Sequence, residues 1–157
     1  MLKLTRIDDR LVHGQVAFTW VPALGIDCLI VANDRVAGDD FLKMTLGLAK
    51  PAGIKFFIKT IKDAITLVND PKSKPFSILL VTESVKDAFT LAEGIPEIRS
   101  INFGGIRGKQ GSRLVSKALS LTEEDITLIR ELQNKGIELE VRQVPTDSKT
   151  SMDSLIK

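Results

Sequence analysis

The sequence is short of the residues that disulfide frameworks and zinc sites require. Its 157 residues include one cysteine, Cys28, and one histidine, His13. A single cysteine cannot form an internal disulfide, which suits a reducing compartment, and its place in the apolar run CLIVA is typical of a buried strand residue. With one histidine and no cysteine pair, only carboxylates remain as further metal ligands, and no metal-ligand spacing is visible. We therefore expect no bound metal.

Long apolar runs and a strong excess of one charge are also absent. The runs ILLV and CLIVA have the length of a strand, far below the roughly 18–20 residues that span a bilayer. The N-terminal segment MLKLTRIDDR lacks the apolar core of a signal peptide, so we expect a cytoplasmic protein. The 22 basic and 20 acidic residues give a formal net charge of +2. Because a duplex-binding domain usually has a stronger basic bias, this balance argues against a nucleic-acid partner.

The chain does contain a regular alternation of short apolar runs and segments of helical period, which predicts one α/β domain over residues 1–157. The apolar runs predict seven strands, at 2–7, 28–33, 54–59, 76–82, 98–103, 113–121 and 137–144. A helical pattern follows the first strand and ends at Gly25. Further helices are predicted at 39–49, 61–69, 85–93 and 123–135, beginning after Asp39 or Asp40, Thr60, Ser84 and Thr122.

This order predicts a doubly wound, mostly parallel sheet of about seven strands with helices on both faces. Strand 113–121 follows its predecessor through a loop and not a helix, so we predict that it is the antiparallel strand. The polar segment 145–157 is expected to fray or to dock as one turn. Alternating apolar positions around 113–121 could also bury an edge in a homo-oligomer.

Ligands of such sheets bind beyond the carboxyl ends of the strands, which makes 8–14, 33–40, 59–62, 82–86 and 103–111 the candidate loops. His13 lies in the first loop, directly before Gly14 and the start of a helix. Arg6 and Arg10 flank it, and guanidinium groups are suited to binding an oxyanion. The pattern favours a nucleophilic imidazole that handles a phosphoryl group, with cations that neutralise the transferred charge.

The roles of Asp8 and Asp9 stay open at this point. Either carboxylate could fix the tautomer of the His13 ring or hold the arginines in place, and either could simply cap the loop.

The segment GGIRGKQGS at 104–112 allows several interpretations. It fails the phosphate-binding pattern G-x-x-x-x-G-K-[ST], because Gln110 follows Lys109. It contains G-x-x-G twice, as some RNA-binding domains do, but it follows a strand where those domains need two helices. No G-x-S-x-G element is present for a serine hydrolase. The segment is therefore a mobile hairpin or part of a phosphate pocket or partner surface, and in the latter case Gly104 and Gly105 support the phosphate site.

The stretch RIDDRLVHGQV at 6–16, with Trp20, resembles the signature of the IIB components of the mannose/fructose/sorbose family of bacterial sugar phosphotransferase systems. The similarity continues through LIVANDRVAGDD (29–40), NFGG (102–105) and VRQVP (141–145), and so covers essentially the whole chain. The first motif is long and specific.

The resemblance implies a phosphocarrier. His13 would accept a phosphoryl group on Nδ1 from a phosphohistidine of the IIA component and pass it to a sugar that the membrane components IIC and IID translocate. Arg10 and Arg6 would stabilise the phosphoryl group, and Gly14 and Gln15 would supply contacts at the helix start. No cofactor is implied, since a phosphoramidate is already activated. The protein would be associated peripherally with the membrane complex.

Two finer points follow from the same resemblance. Asp34 matches an acidic position after the second strand, although ND replaces the more frequent DD and leaves its role open. The runs at 4–16 and 29–40 look most like members specific for N-acetylgalactosamine or related amino sugars. The alternative is a regulatory module that binds a phosphorylated ligand at the same pocket without transferring the group.

Overall fold

The computed structural model describes residues 1–156. Its strands are β1 Leu2–Asp8, β2 Cys28–Ala32, β3 Lys55–Lys59, β4 Ile78–Thr82, β5 Ser100–Gly105, β6 Ser112–Ser116, β7 Leu119–Thr122, β8 Glu138–Val141 and β9 Thr150–Ser151. Its α-helices are α1 Val21–Ala23, α2 Asp34–Ala37, α3 Asp40–Gly47, α4 Ile61–Asn69, α5 Val85–Gly94 and α6 Glu123–Asn134. A π-helical turn, Val16–Trp20, precedes α1, and 3₁₀ turns lie at Pro71–Ser73 and Met152–Ser154.

The predicted mostly parallel sheet of seven strands is confirmed. Its strand order is β3-β2-β4-β1-β5-β8-β9, and all neighbours are parallel except β8 and β9. Every residue of β2 and β4 is buried. Such unbroken apolar strands are expected where helices cover both faces of a parallel sheet.

Helices do cover both faces, and on each face an apolar cluster lies between the sheet and its helices. On one face, α4, α5 and α6 pack on the sheet through residues such as Ala64, Leu91 and Leu132. On the other face, the helical segment 14–23 and α3 enclose a second cluster that includes Trp20 and Leu29. Among residues 1–156, no helix has both the length and the apolar character needed to cross a bilayer.

The side chains predicted to begin helices do so. Thr60, Ser84 and Thr122 each accept a hydrogen bond from the N–H three residues later, and Thr122 forms a full capping box with Asp125. Asp39 caps α3. The short helix α2 was not predicted; it begins where the Asn33 side chain accepts from the N–H of Val36 at 2.8 Å.

The prediction of one strand at 113–121 was wrong. Residues 112–122 form a two-stranded antiparallel hairpin, β6–β7, that is separate from the seven-stranded sheet. The turn at Lys117–Ala118 contains none of the residues that usually mark a hairpin turn, so nothing in the sequence divides the segment in two, which explains the error. The hairpin is attached to the end of β5 through two backbone hydrogen bonds of Ile106, to Ala118 and from Ser120.

The antiparallel strand of the main sheet is β9, which lies in the polar C-terminal segment. Residues Thr150 and Ser151 pair with Val141 and Glu140 of β8. The following turn then buries Met152 against the core. The segment therefore docks through both a strand and a turn, because its few apolar side chains find a place beside α6.

Candidate functional site

The site lies at the point where the connections of two neighbouring strands diverge. From β1 the chain continues toward β2 on one side of the sheet, and from β5 it continues toward β8 on the other. Such a divergence opens a crevice at the carboxyl edge, where ligands of doubly wound sheets bind. His13 follows β1 at this crevice.

A buried carboxylate orients the His13 ring. Asp8 is the last residue of β1, its side chain is fully buried, and its Oδ2 lies 2.8 Å from His13 Nε2. Because an ionised carboxylate can only accept, Nε2 carries a proton in this pair, and in the neutral form of the ring the lone pair is therefore on Nδ1. The His13 side chain is 16% exposed, so the ring retains access to solvent.

A strained turn returns the chain over Asp8. Leu11 has φ of +59°, a left-handed conformation that branched and bulky residues seldom adopt. Its N–H donates to the carbonyl of Asp8 at 2.9 Å, and its side chain is buried. The helical segment begins two to three residues later, where Ala17 N–H donates to the His13 carbonyl. Burial of Leu11 thus holds a turn that directs His13 back to the end of its own strand.

Arg6 lies two residues before Asp8 on the same face of β1 and is fully buried. Its Nη2 lies 3.2 Å from Asp8 Oδ2. Its Nη1 donates to Asn102 Oδ1 at 2.6 Å, and further donors reach the carbonyls of Arg142 and Gln143. This burial argues against the direct phosphoryl contact that the sequence suggested, and it favours a positioning role for Arg6.

Burial and mutual contact shift the pKa values of both Asp8 and Arg6. Burial raises the pKa of Asp8, but the hydrogen bond from His13 and the charge of Arg6 outweigh it, so the pKa of Asp8 lies below its usual range. Burial lowers the pKa of Arg6, and the Asp8 carboxylate counteracts that effect. Asp8 is therefore an anion at neutral pH, and it can balance positive charge on the histidine ring.

Arg10 is the cation at the site that can reach a ligand. Its side chain is 52% exposed, and its Nε lies 3.7 Å from Asp8 Oδ1, which also accepts from the Arg10 backbone N–H at 3.1 Å. The guanidinium is thus held beside the carboxylate that orients His13. Enough of it remains open to bind an anion at the ring.

The structure separates the two adjacent aspartates, which the sequence left open. Asp8, Arg6 and His13 form one hydrogen-bonded cluster, the Asp8 cluster, and Asp9 is not part of it. The Oδ2 atom of Asp9 accepts instead from both the backbone N–H and Nε of Arg107, at 2.8 and 3.1 Å. Its own N–H donates to Gly105. Asp9 therefore ties the β1 loop to the segment that leads into the hairpin.

Of the remaining predicted site residues, Asp34 alone lies away from the β1 loop and β5. Gln15 joins the cluster, since its Oε1 accepts from Arg6 Nη2 at 3.3 Å, and Gly14 is exposed beside His13. Gly104 is needed for packing: a Cβ there would lie 2.7 Å from Arg6 Nε. Asp34 belongs elsewhere, since its Oδ1 accepts from the N–H of Ile61 at 2.8 Å and β4 separates its strand from β1.

Sequence reasoning did not assign roles to Asn102, Arg142 and Gln143. Arg142 forms a two-point ion pair with Glu140 at 2.9 and 3.0 Å. The guanidinium groups of Arg142 and Arg6 lie 5.0 and 5.3 Å from the centroid of the Trp20 ring. Trp20 Nε1 donates to the Gln143 carbonyl. The segments NFGG and VRQVP contain these residues, but only the adjacency of β1, β5 and β8 brings them into contact with Arg6.

Fold and site together define a doubly wound α/β protein with a carboxylate-oriented histidine where β1 and β5 diverge. Over residues 2–157 the sequence matches the family described as the PTS system sorbose subfamily IIB component. The chain therefore belongs to the IIB components of the sorbose subfamily of sugar phosphotransferase systems.

Individual relatives agree with this family. The chain is 38% identical over 156 residues to the mannose-specific EIIAB component of Escherichia coli (strain K12), which covers 99% of this chain and 48% of that protein. It thus spans about half the length of that relative. It is 35% identical over 157 residues to the sorbose-specific EIIB component of Lacticaseibacillus casei, with 100% of this chain and 94% of that protein covered.

Solved structures share the fold. The IIBSor domain of the sorbose permease from Klebsiella pneumoniae superposes with a TM-score of 0.93 at 29% identity, over 99% of this chain and 96% of that chain. The N-acetylgalactosamine-specific IIB component 1 from Escherichia coli superposes with a TM-score of 0.89 at 29% identity, over 97% of this chain and 99% of that chain.

Proposed function

We propose that residues 1–157 act as one IIB phosphocarrier domain, in which His13 accepts a phosphoryl group on Nδ1 from a phosphorylated IIA component and transfers it to a sugar. One observation carries the proposal: the 2.8 Å contact of Nε2 with buried Asp8 leaves Nδ1 as the nucleophilic nitrogen of a ring that is 16% exposed. Membership of the IIB family supports the same chemistry.

In the first step, the Nδ1 lone pair attacks the phosphorus atom of the donor phosphohistidine. The N–P bond of the donor breaks and its electron pair returns to the donor nitrogen. The His13 ring then carries positive charge with the proton still on Nε2, where Asp8 balances it. Arg10 binds the phosphoryl oxygens, which is the electrostatic contribution that phosphoryl transfer requires.

In the second step, a sugar hydroxyl attacks the phosphorus atom and the electron pair of the N–P bond returns to Nδ1. The hydroxyl proton leaves to solvent. The reaction class is a protein-phosphohistidine–sugar phosphotransferase, and no metal or cofactor takes part in it. The sugar would be presented at the membrane by IIC and IID, beside which the chain would work on the cytoplasmic side.

We keep N-acetylgalactosamine, or a related amino sugar, as the proposed substrate. The sequence resemblance at 4–16 and 29–40 supports it, and the fold is shared with an N-acetylgalactosamine-specific component as well as with a sorbose-specific one. Mannose, sorbose and fructose are the competing sugars, and relatives with each of these names match the chain.

The deciding experiment is phosphoryl labelling of the purified chain with phosphoenolpyruvate, the general phosphotransferase proteins and a matching IIA component. We expect an acid-labile, alkali-stable label that His13→Ala abolishes, and NMR of the ring should place it on Nδ1. A label that persists in His13→Ala, or that survives acid, would refute the proposal. Binding of a phosphorylated ligand without any labelled protein would favour the regulatory alternative. Vesicles with IIC and IID and a panel of sugars then identify the acceptor.

A further inference from the structure

A cleft of about 330 Å³ opens beside Arg10, between the β1 loop and the β6–β7 hairpin. Its lining includes Arg107, Leu114, Lys117 and Ser120. Arg10 joins this cleft to the His13 site, because it contacts the same Asp8 carboxylate that orients the ring. A molecule in the cleft would therefore contact Arg10, the cation that is held beside the carboxylate of the His13 site.

The cleft has a surplus of positive charge. Arg10, Arg107 and Lys117 line it, and the acid on its wall, Asp9, is already paired with Arg107. The sequence from 104 to 122 has no acidic residue. Of the three cations, Arg107 compensates the charge of Asp9, whereas Lys117 is exposed and Arg10 is 52% exposed, so these two are available to an anion.

The other walls suit a sugar ring. The cleft combines the hydroxyl-bearing Ser120 with the apolar side chains of Ile106 and Leu114, and Leu114 is 71% exposed. A pyranose ring also has apolar faces and hydroxyl edges, and a volume of about 330 Å³ accommodates one monosaccharide. An inorganic anion alone would use neither the apolar walls nor most of the volume.

We propose that this cleft is a monosaccharide phosphate subsite, in which the hairpin holds the sugar and the cations hold the phosphate of the product. The inference rests on the proposed function, since it places the product where the phosphoryl group leaves His13. It predicts that the sugar phosphate binds the unphosphorylated chain directly, without IIC or IID, and competes with phosphorylation by IIA.

The test is calorimetric titration of the unphosphorylated chain with mannose 6-phosphate and N-acetylgalactosamine 6-phosphate, against the free sugars and inorganic phosphate. At least one sugar phosphate should bind about tenfold more tightly than inorganic phosphate, because the ring adds contacts. Lys117→Ala should weaken it about fivefold, as expected for one exposed charge on a phosphate. The matched control is Lys62→Ala, which removes an exposed lysine on α4, away from the cleft.

The outcomes separate the subsite from the proposed function. Binding that is about fivefold weaker in Lys117→Ala, with intact labelling of His13, supports both. Labelling without sugar phosphate binding, equal affinity for inorganic phosphate, or equal effects of Lys117→Ala and Lys62→Ala would overturn the subsite alone. Binding of the sugar phosphate to a chain that cannot be labelled would overturn the proposed function and leave the subsite standing.

Discussion

Replacing Asp8 with asparagine removes one negative charge from the centre of the site and leaves the shape of the side chain almost unchanged. The carboxylate lies 3.2 Å from Arg6 Nη2 and 2.8 Å from His13 Nε2, and it also accepts from the backbone N–H of Arg10. Asparagine can keep an acceptor oxygen for one of these donors, but it offers no charge to the ring or to Arg6.

The magnitude follows from burial. Both Asp8 and Arg6 have fully buried side chains. Breaking one partner of such a pair typically costs about 3–5 kcal/mol, and because the amide keeps one hydrogen bond we expect the lower end, about 3 kcal/mol. The rate of phosphoryl transfer should fall about 100-fold in the folded fraction, since Nε2 loses the anion that balances the charged ring.

The assay has two readouts on the same preparation. Urea unfolding gives the free energy of unfolding, and rapid-quench labelling by phosphorylated IIA gives the transfer rate per folded molecule. The control is Asp9→Asn, which neutralises the next residue along the chain. Asp9 pairs with an arginine that is 78% exposed, so we expect a loss below about 1 kcal/mol and an unchanged labelling rate.

Two results would refute the reasoning. An Asp8→Asn variant that labels at the wild-type rate per folded molecule would show that Asp8 acts only in stability. Equal effects of Asp8→Asn and Asp9→Asn on the labelling rate would show that charge near the loop matters, and that the specific contact with His13 does not.

The other predictions concern packing, pH and the exposed cation. Gly104→Ala should lower the free energy of unfolding measured in urea by about 1–3 kcal/mol, because the new Cβ would lie 2.7 Å from Arg6 Nε. The control is Gly47→Ala, whose new Cβ would have no neighbouring atom within 4 Å and should stabilise the fold by about 0.5 kcal/mol. Because folding lowers the pKa of Asp8, the stability that this carboxylate contributes is fully present above the ordinary pKa of 3.8. That contribution is lost as the pH falls through the lower pKa of the folded state. Urea unfolding between pH 5 and 2.5 should show this loss in the wild type and not in Asp8→Asn. Arg10→Lys should slow labelling about tenfold while changing stability by less than about 0.5 kcal/mol, because a half-exposed side chain that binds an anion at two points has little role in packing. A wild-type labelling rate in Arg10→Lys would remove Arg10 from the phosphoryl site.

Much of the fold could be predicted because its signals are local. Thr60, Ser84 and Thr122 cap their helices through bonds to the N–H three residues later, so a short window of sequence contains both partners. The strands β2 and β4 are recognisable for a similar reason, since burial on both faces makes every residue apolar except Thr82 at the end of β4. The hairpin at 112–122 was misassigned because its turn, Lys117–Ala118, contains none of the glycine, proline, asparagine or aspartate residues that usually mark a hairpin turn.

The site could be predicted only in part. The sequence placed His13 at a strand end with Asp8, Asp9 and two arginines nearby, but spacing along the chain could not say which carboxylate faces the ring. In an extended strand, alternate residues point to opposite faces, and the turn at Leu11 then decides which one the histidine meets. That turn depends on the burial of Leu11, which is a tertiary contact.

The sequence by itself thus determined the order of elements, the helix starts and the histidine at the end of the first strand, because all of these depend on neighbours a few residues apart. Tertiary structure alone decided that Asp8 orients the ring, that Arg6 is buried and that Asp9 instead holds Arg107. Arg6 meets Asn102 and the carbonyls of Arg142 and Gln143 only because β1, β5 and β8 lie side by side. Partners that are 96 to 137 positions apart in the chain leave no local signal, and only the packing of the sheet brings them together.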